Sequence, residues 1–303
     1  MRNVLSPTGT FPSDTGNPAS SWPQGFGELT TTGMYQEFEL GQILHYNRTL
    51  MSAYAVAAGL YANASQLPQP TPKGWPGNWS PVPVHTLPLD SSPLHRTKFK
   101  AKCPTADKLY RQQIHAFQAA NLTTEEKRLL QKLSQKTGLS KNVSLADLWR
   151  IYTPLKIERI YVEKHPWPSW VRDEDFELMS KLYDDSTNLL YRDPTIARLR
   201  GGPILADMLE RMEAKIECRQ AQQQSAFCRW LDPLKFYGYS GHDINVMALL
   251  EALRSGPLTQ GHMPDYAACI LLELYFDPRD HSYSETFGTT VESEGNSFVP
   301  PTF

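Results

Sequence analysis

The chain changes its hydrophobic period within nine residues, Lys235-Phe-Tyr-Gly-Tyr-Ser-Gly-His-Asp243. Phe236, Tyr237 and Tyr239 give the composition of a buried strand. Ser240-Gly241 breaks that run, and Ile244, Val246, Met247, Leu250 and Leu253 then recur at helical spacing. His242 and Asp243 are therefore expected where a strand ends and a helix begins. At that edge of an open α/β sheet ligands bind. The unpaired amides and the dipole of a helix N-terminus also favour anions there. A titratable His beside an Asp suits phosphate chemistry at such a place. The same dipeptide also suits an ordinary helix start, with Asp243 as the N-cap and His242 incidental.

At 303 residues the chain can bury a sizeable core, in one large α/β domain or two smaller ones. Its formal charge of −2 gives no general affinity for nucleic acid or membrane surfaces. The longest apolar run, Tyr266 to Phe276, is short and contains Glu273, so no membrane span is expected. The opening Met-Arg-Asn-Val-Leu-Ser-Pro has no apolar core of a signal peptide. Asn47, Asn63, Asn78, Asn121 and Asn142 nevertheless each begin an Asn-x-Ser/Thr sequon. Cys103, Cys218, Cys228 and Cys269 allow three pairings, among which the sequence does not choose. No Cys/His spacing suits zinc, and no metal or cofactor is expected.

Along the chain, residues 1–20 read as loop, and Thr30 to Leu44 and Arg48 to Leu60 as helices. Residues 68–93 hold eight prolines and form a natural boundary. Helical periodicity follows. Thr123-Thr-Glu-Glu126 is a capping-box pattern before Leu129, Leu130 and Leu133, and Gly138 ends that helix. Ser144 to Asp147 caps another, Asp173 opens a third, and Gly201-Gly-Pro203 a fourth. Polar Arg219 to Ala226 reads as an exposed helix extension or loop, Tyr266 to Phe276 as a second buried strand, and the chain beyond Asp277 as largely irregular.

Tyr-Ser-Gly-His242-Asp243 resembles the Tyr-Ser-Ala-His-Asp segment of the histidine acid phosphatases, the prostatic and lysosomal group. Five further stretches resemble that family in the same order. They are Ser21 to Gly33, Arg48-Thr-Leu-Met-Ser-Ala53, Pro81-Val-Pro-Val-His-Thr-Leu-Pro88, Leu199-Arg-Gly-Gly202 and Pro264-Asp-Tyr-Ala-Ala-Cys269. The resemblance implies a doubly wound α/β sheet with helices on both faces and a helical insertion. Residues 1–84 and 196–303 would form the α/β core, and 85–195 the helical insertion that caps the site. It implies hydrolysis of phosphomonoesters, with His242 and Asp243 catalytic, Asp243 as proton donor and Arg48 binding phosphate. Phosphate monoester or inorganic phosphate is the expected ligand. The family further implies the secretory pathway, secreted or lysosomal, and allows a homodimer. Cys103 and Cys269 match family disulfide positions. One partner position reads Ile157 and the other lies in a region that no longer matches, so those bridges are not carried over.

The chemistry departs from the family at its first motif, Arg-His-Gly-x-Arg-x-Pro. A phosphoryl transfer of this type needs a nucleophile, cations on the phosphoryl oxygens and an acid for the leaving oxygen. Aligned on Pro7, the sequence places Met1 and Leu5 at the two arginines and Arg2 at the nucleophilic histidine. His45-Tyr-Asn47 also runs directly into Arg48-Thr49, where the family interposes a strand and turn. Catalysis is therefore expected to be impaired. The alternative is a non-catalytic relative or shortened product that acts at most as an anion- or protein-binding module. Arg48, His242 and Asp243 are expected to converge on one pocket.

Overall fold

The computed structural model describes residues 47–60, 84–88, 92–97, 101–160, 167–220, 225–255 and 261–290. The expected helix at Thr30 to Leu44 and the first-motif positions Met1, Arg2 and Leu5 lie outside them. Ten α-helices and two strands are described: α1 (Asn47–Leu60), α2 (Pro93–Arg96), α3 (Pro104–Ala120), α4 (Thr124–Thr137), α5 (Trp149–Ile160), α6 (Asp173–Tyr191), α7 (Pro194–Arg200), α8 (Gly202–Gln220), α9 (Ala226–Leu231), α10 (Asp243–Ala252), β1 (Cys269–Asp277) and β2 (Ser282–Thr290).

Local chemistry sets the helix ends. The Thr123 hydroxyl accepts from the Glu126 amide at 3.2 Å, and the Glu126 carboxylate accepts from the Thr123 amide at 2.8 Å, which completes the capping box of α4. Gly138 then takes the left-handed conformation (φ 68°) that ends the helix. At α7, Asp193 caps the amides of Thr195 and Ile196, and Pro194 occupies the first helical position, where its missing N–H removes no bond. The apolar stripes of α3 to α7 then meet in one core that includes Leu133, Leu148, Ile151, Met179, Leu182 and Ile196. Met247 and Ala248 of α10 belong to the same core, so the site helix packs directly on the helical region.

α10 also lies against the α7–α8 junction with no space for a side chain. A Cβ on Gly201 would stand 2.0 Å from the Ala248 carbonyl oxygen. Gly201 thus allows backbone-on-backbone contact just behind the site helix.

Three elements differ from the sequence expectation. Lys235 to Tyr239 forms no strand, and Phe236 and Tyr237 are 51% and 40% exposed. A buried strand needs ladder partners on its edges, and among the described residues none runs beside this segment. Side chains hold its two ends instead: Lys215 Nζ donates to the carbonyls of Leu231, Asp232 and Leu234, just before it, at 3.2, 2.8 and 2.6 Å, and the Tyr239 hydroxyl bonds Asp207 and Arg211. The second expected strand exists as β1 but is not buried. It pairs antiparallel with β2 in a hairpin running from Cys269↔Thr290 to Asp277↔Ser282, and its alternate residues face solvent. Residues 282–290, expected to be irregular, are that partner strand. Their Ser, Thr and Glu content hides the pattern, because a strand exposed on one face does not need apolar alternation on both. Among the described residues this hairpin is the whole sheet.

Candidate functional site

His242 occupies the N-cap of α10, with extended backbone (φ −103°, ψ 164°), and Asp243 is the first helical residue. The alternative reading, with Asp243 as the N-cap and His242 incidental, is not what the structure has: the cap is His242, one residue earlier than the cap preference of Asp suggests. Both residues are half-buried. The His242 carbonyl accepts from the Asn245 amide at 2.8 Å and opens the helical ladder. Asp243 Oδ1 accepts from the Ile244 amide at 2.9 Å, so its carboxylate lies across the first turn. An acidic group there gains from the positive end of the helix dipole.

Asn245 is the residue that sequence reasoning missed. Its Oδ1 accepts from the His242 amide, which gives α10 the reciprocal half of a cap from the third helical position. Its Nδ2 donates to the Leu94 carbonyl at 2.7 Å and to the Thr97 hydroxyl. The available signal was a polar residue set between Ile244 and Val246 on an otherwise apolar helix. A buried amide persists there only when its hydrogen bonds are made.

Two further buried polar groups fasten Thr97 to α6 and Ala101 to α7. The Tyr191 hydroxyl donates to the Thr97 carbonyl at 2.9 Å. Burial, reinforced by the charge of Asp243, raises the pKa of that phenol, so it stays a donor. Arg200, 1% exposed, donates to the Ala101 carbonyl at 2.8 Å and pairs with Asp107 at 2.5 Å.

Upstream of His242, Tyr239 donates to Asp207 on α8, and Arg211 holds both, with Nε 3.1 Å from the Tyr239 hydroxyl and the guanidinium 4.3 Å above the Tyr237 ring. Ser240 is buried, and its hydroxyl donates to the Thr49 carbonyl at 3.3 Å. That bond brings the first turn of α1, which carries Arg48, to the strip that leads into His242. The Arg48 side chain is outside the described residues. A groove of about 630 Å³ runs alongside, between α8, α10 and β1. Met208, Met212, Val246 and Ile270 make much of its wall apolar, and Arg211, Lys215, Arg219 and Lys235 line it as well. Among the described residues, no group of three or more His, Cys, Asp or Glu side chains could hold a metal ion.

The disulfide pattern resolves the open pairing: Cys218 bonds Cys228, whereas Cys103 and Cys269 remain thiols.

The fold is that of the histidine phosphatases, an α/β class in which helices outweigh a small sheet here. Across 95% of this chain and 82% of the other, it superposes on the phytase from Citrobacter braakii with a TM-score of 0.57 at 15% sequence identity. The phytase of Hafnia alvei gives the same TM-score at 14% identity. Residues 44–296 match the histidine phosphatase superfamily (branch 2), and the chain belongs to that family. Its relatives are acid phosphatases. The putative acid phosphatase 5 of Caenorhabditis elegans is 32% identical over 88% of this chain and 61% of its own length. The Xenopus laevis lysosomal acid phosphatase is 32% identical over 89% of this chain and 63% of its own length. The human prostatic acid phosphatase is 29% identical over 98% and 77% respectively. The chain thus spans a little over three fifths of the first two relatives.

Proposed function

We propose that this chain is an acid phosphatase relative that retains a phosphate-binding site at His242, Asp243 and Arg48 but turns over phosphomonoesters poorly. The observation that carries the reading is the bond from Ser240 to Thr49. It joins two stretches that are distant in sequence, each beside a residue the family uses on phosphate. The N-terminus of α10 adds a local preference for anions. Impairment follows from Arg2 and Leu5, which stand at the positions of the nucleophilic histidine and a motif arginine. A guanidinium cannot form the phospho-enzyme that a neutral imidazole forms, and an apolar side chain cannot hold an anionic oxygen. Asp243 as proton donor serves only part of the cycle, because residues of one catalytic unit act together.

At mildly acidic pH, a chromogenic phosphomonoester should be hydrolysed at least about a thousandfold more slowly than by an intact relative. Three proteins decide the matter: the chain itself, Asp243→Asn, and a version with the Arg-His-Gly-x-Arg segment restored. The restored version should gain turnover that Asp243→Asn then removes. Robust turnover by the chain itself, abolished by Asp243→Asn, would overturn the reading and require another nucleophile.

We also propose passage through the secretory pathway and a core of 1–84 and 196–303 capped by 85–195. The names of the lysosomal and prostatic relatives support the first. The Cys218–Cys228 bond suits an oxidising compartment. Asn121 and Asn142 are exposed, as glycan acceptors must be. Protein from a secreting host should lose apparent mass on treatment with peptide N-glycosidase, and less in the Asn121→Gln/Asn142→Gln variant. An unchanged mobility in that variant would remove both sites from the proposal.

A further inference from the structure

The first turn of α10 carries its one buried polar side chain, Asn245, at 3% exposure between apolar neighbours that pack into the core. All three of its contacts lead to the site or to the segment fastened beside it. Oδ1 takes the His242 amide, and Nδ2 reaches the Leu94 carbonyl and the Thr97 hydroxyl. Thr97 is fully buried. Its hydroxyl donates onward to the Leu94 carbonyl at 2.9 Å, and its own carbonyl takes the Tyr191 hydroxyl. The amide also fills the space above Gly241, where a Cβ would stand 2.6 Å from Oδ1 and 3.0 Å from Cγ. The family segment that this stretch resembles has Ala at that place, so Gly241 and Asn245 fit one another in this chain. An apolar residue at 245 would satisfy the packing without any of these bonds, whereas a buried amide that lost them would destabilise the helix.

We propose that Asn245 is the positioning residue of the His242–Asp243 site, with Gly241 as the clearance it requires. The amide fixes the His242 backbone at the start of α10 and binds that start to the turn after α2. The His242 ring and the Asp243 carboxylate are thereby presented from one rigid edge rather than from a fraying helix end. The inference deepens the phosphate-site reading in its ligand-binding part only, because the placing of His242 is measurable with no ligand present.

The test uses the full chain with ring-¹³C histidine, with the His242 signal identified by its loss in His242→Gln. In Asn245→Ala, the His242 ring signal should move before any ligand is added, and affinity for inorganic phosphate should fall about five- to tenfold. Gly241→Ala should do the same, because its methyl pushes the amide off the His242 N–H. The double variant should be no worse than Asn245→Ala, since both changes break one contact. The signal of His262, whose Nδ1 lies 2.7 Å from Asp184 Oδ2 on α6, should stay in place, which separates a positional effect from general loosening. A His242 signal unmoved in Asn245→Ala would overturn the proposal, and so would losses from the two single variants that add in full. Should Asn245→Ala not fold, Gly241→Ala decides alone: a displaced His242 signal supports the proposal, and an unmoved one sinks it. Should phosphate leave the His242 signal of the parent chain unchanged, the phosphate-site reading fails, while the shift between parent and variants still decides the role of Asn245.

Discussion

Arg200 shows how much one buried charge can organise. Its guanidinium satisfies the Ala101 and Arg96 carbonyls at 2.8 and 3.4 Å and pairs with Asp107, whose side chain is 22% exposed. A planar fork can serve these acceptors at once, whereas a single ammonium cannot reach them all. Removing the guanidinium leaves a partly buried carboxylate and open carbonyls, a loss of about 3–5 kcal/mol by analogy with other broken buried pairs. Arg200→Met should therefore lower the urea unfolding free energy by about that amount. Arg200→Lys should recover less than half, and Asp107→Asn should lose less than Arg200→Met because water reaches that carboxylate. Equal stability for Arg200→Lys and the parent would show that charge alone suffices. Arg200 belongs to a stretch whose resemblance to the family is legible in the sequence, yet nothing in Leu199-Arg-Gly-Gly202 says that its arginine is buried. Burial of a charge depends on acceptors about a hundred residues away, at Ala101 and Asp107.

At the scale of elements, the readable features were those written in a few adjacent residues. Thr123 with Glu126, Gly138, Asp173 and Gly201-Gly-Pro203 mark helix ends within a residue of where the structure has them, because the chemistry of helix ends is local. Strands were less readable. The aromatic run at Lys235 to Tyr239 and the polar run at Ser282 to Thr290 were both misjudged, because a strand is defined by its neighbour in the sheet. Cysteine pairing was likewise hidden until α8 and α9 were in place. The Cys218–Cys228 bond then closes a ten-residue separation and sets Leu231 beside the two sulfurs in a small satellite core. Closing a loop of this size restricts the unfolded chain and stabilises the fold by about 2–3 kcal/mol. Cys218→Ser/Cys228→Ser should lose roughly that much in unfolding free energy, with the circular dichroism of the folded protein unchanged. A variant as stable as the parent would place α9 outside the cooperative unit.

At the scale of the whole molecule, the class and the order of the matching segments were legible because they rest on many residues along the chain. The clamp at Asn245 was not legible, because it exists only once α2, α6 and α10 are folded together. The same folded state sets how stability responds to acid. The Glu126 carboxylate is buried, which works against its charge. Hydrogen bonds from Lys181 and from the Thr123 amide and hydroxyl outweigh that burial and hold its pKa below the ordinary value of 4.5. Asp175 behaves alike: burial opposes its charge, and Lys132 at 2.6 Å with Arg172 at 3.2 Å holds it below 3.8. Both groups join α4 to α6 in the core of the helical region. A carboxyl whose pKa is lower folded than unfolded binds protons more readily when unfolded. Its stabilisation is complete above the unfolded value and is lost as pH falls through the folded one. The urea midpoint should therefore hold steady from neutral pH down to about pH 5 and fall below about pH 4.5, as the protonated unfolded chain becomes favoured. Glu126→Gln/Asp175→Asn should start from a lower midpoint at neutral pH and decline less steeply in acid. Parallel curves for the two proteins would mean that neither carboxylate governs the acid limit. A stability gap between parent and variant that widened on acidification would contradict the sign of both shifts.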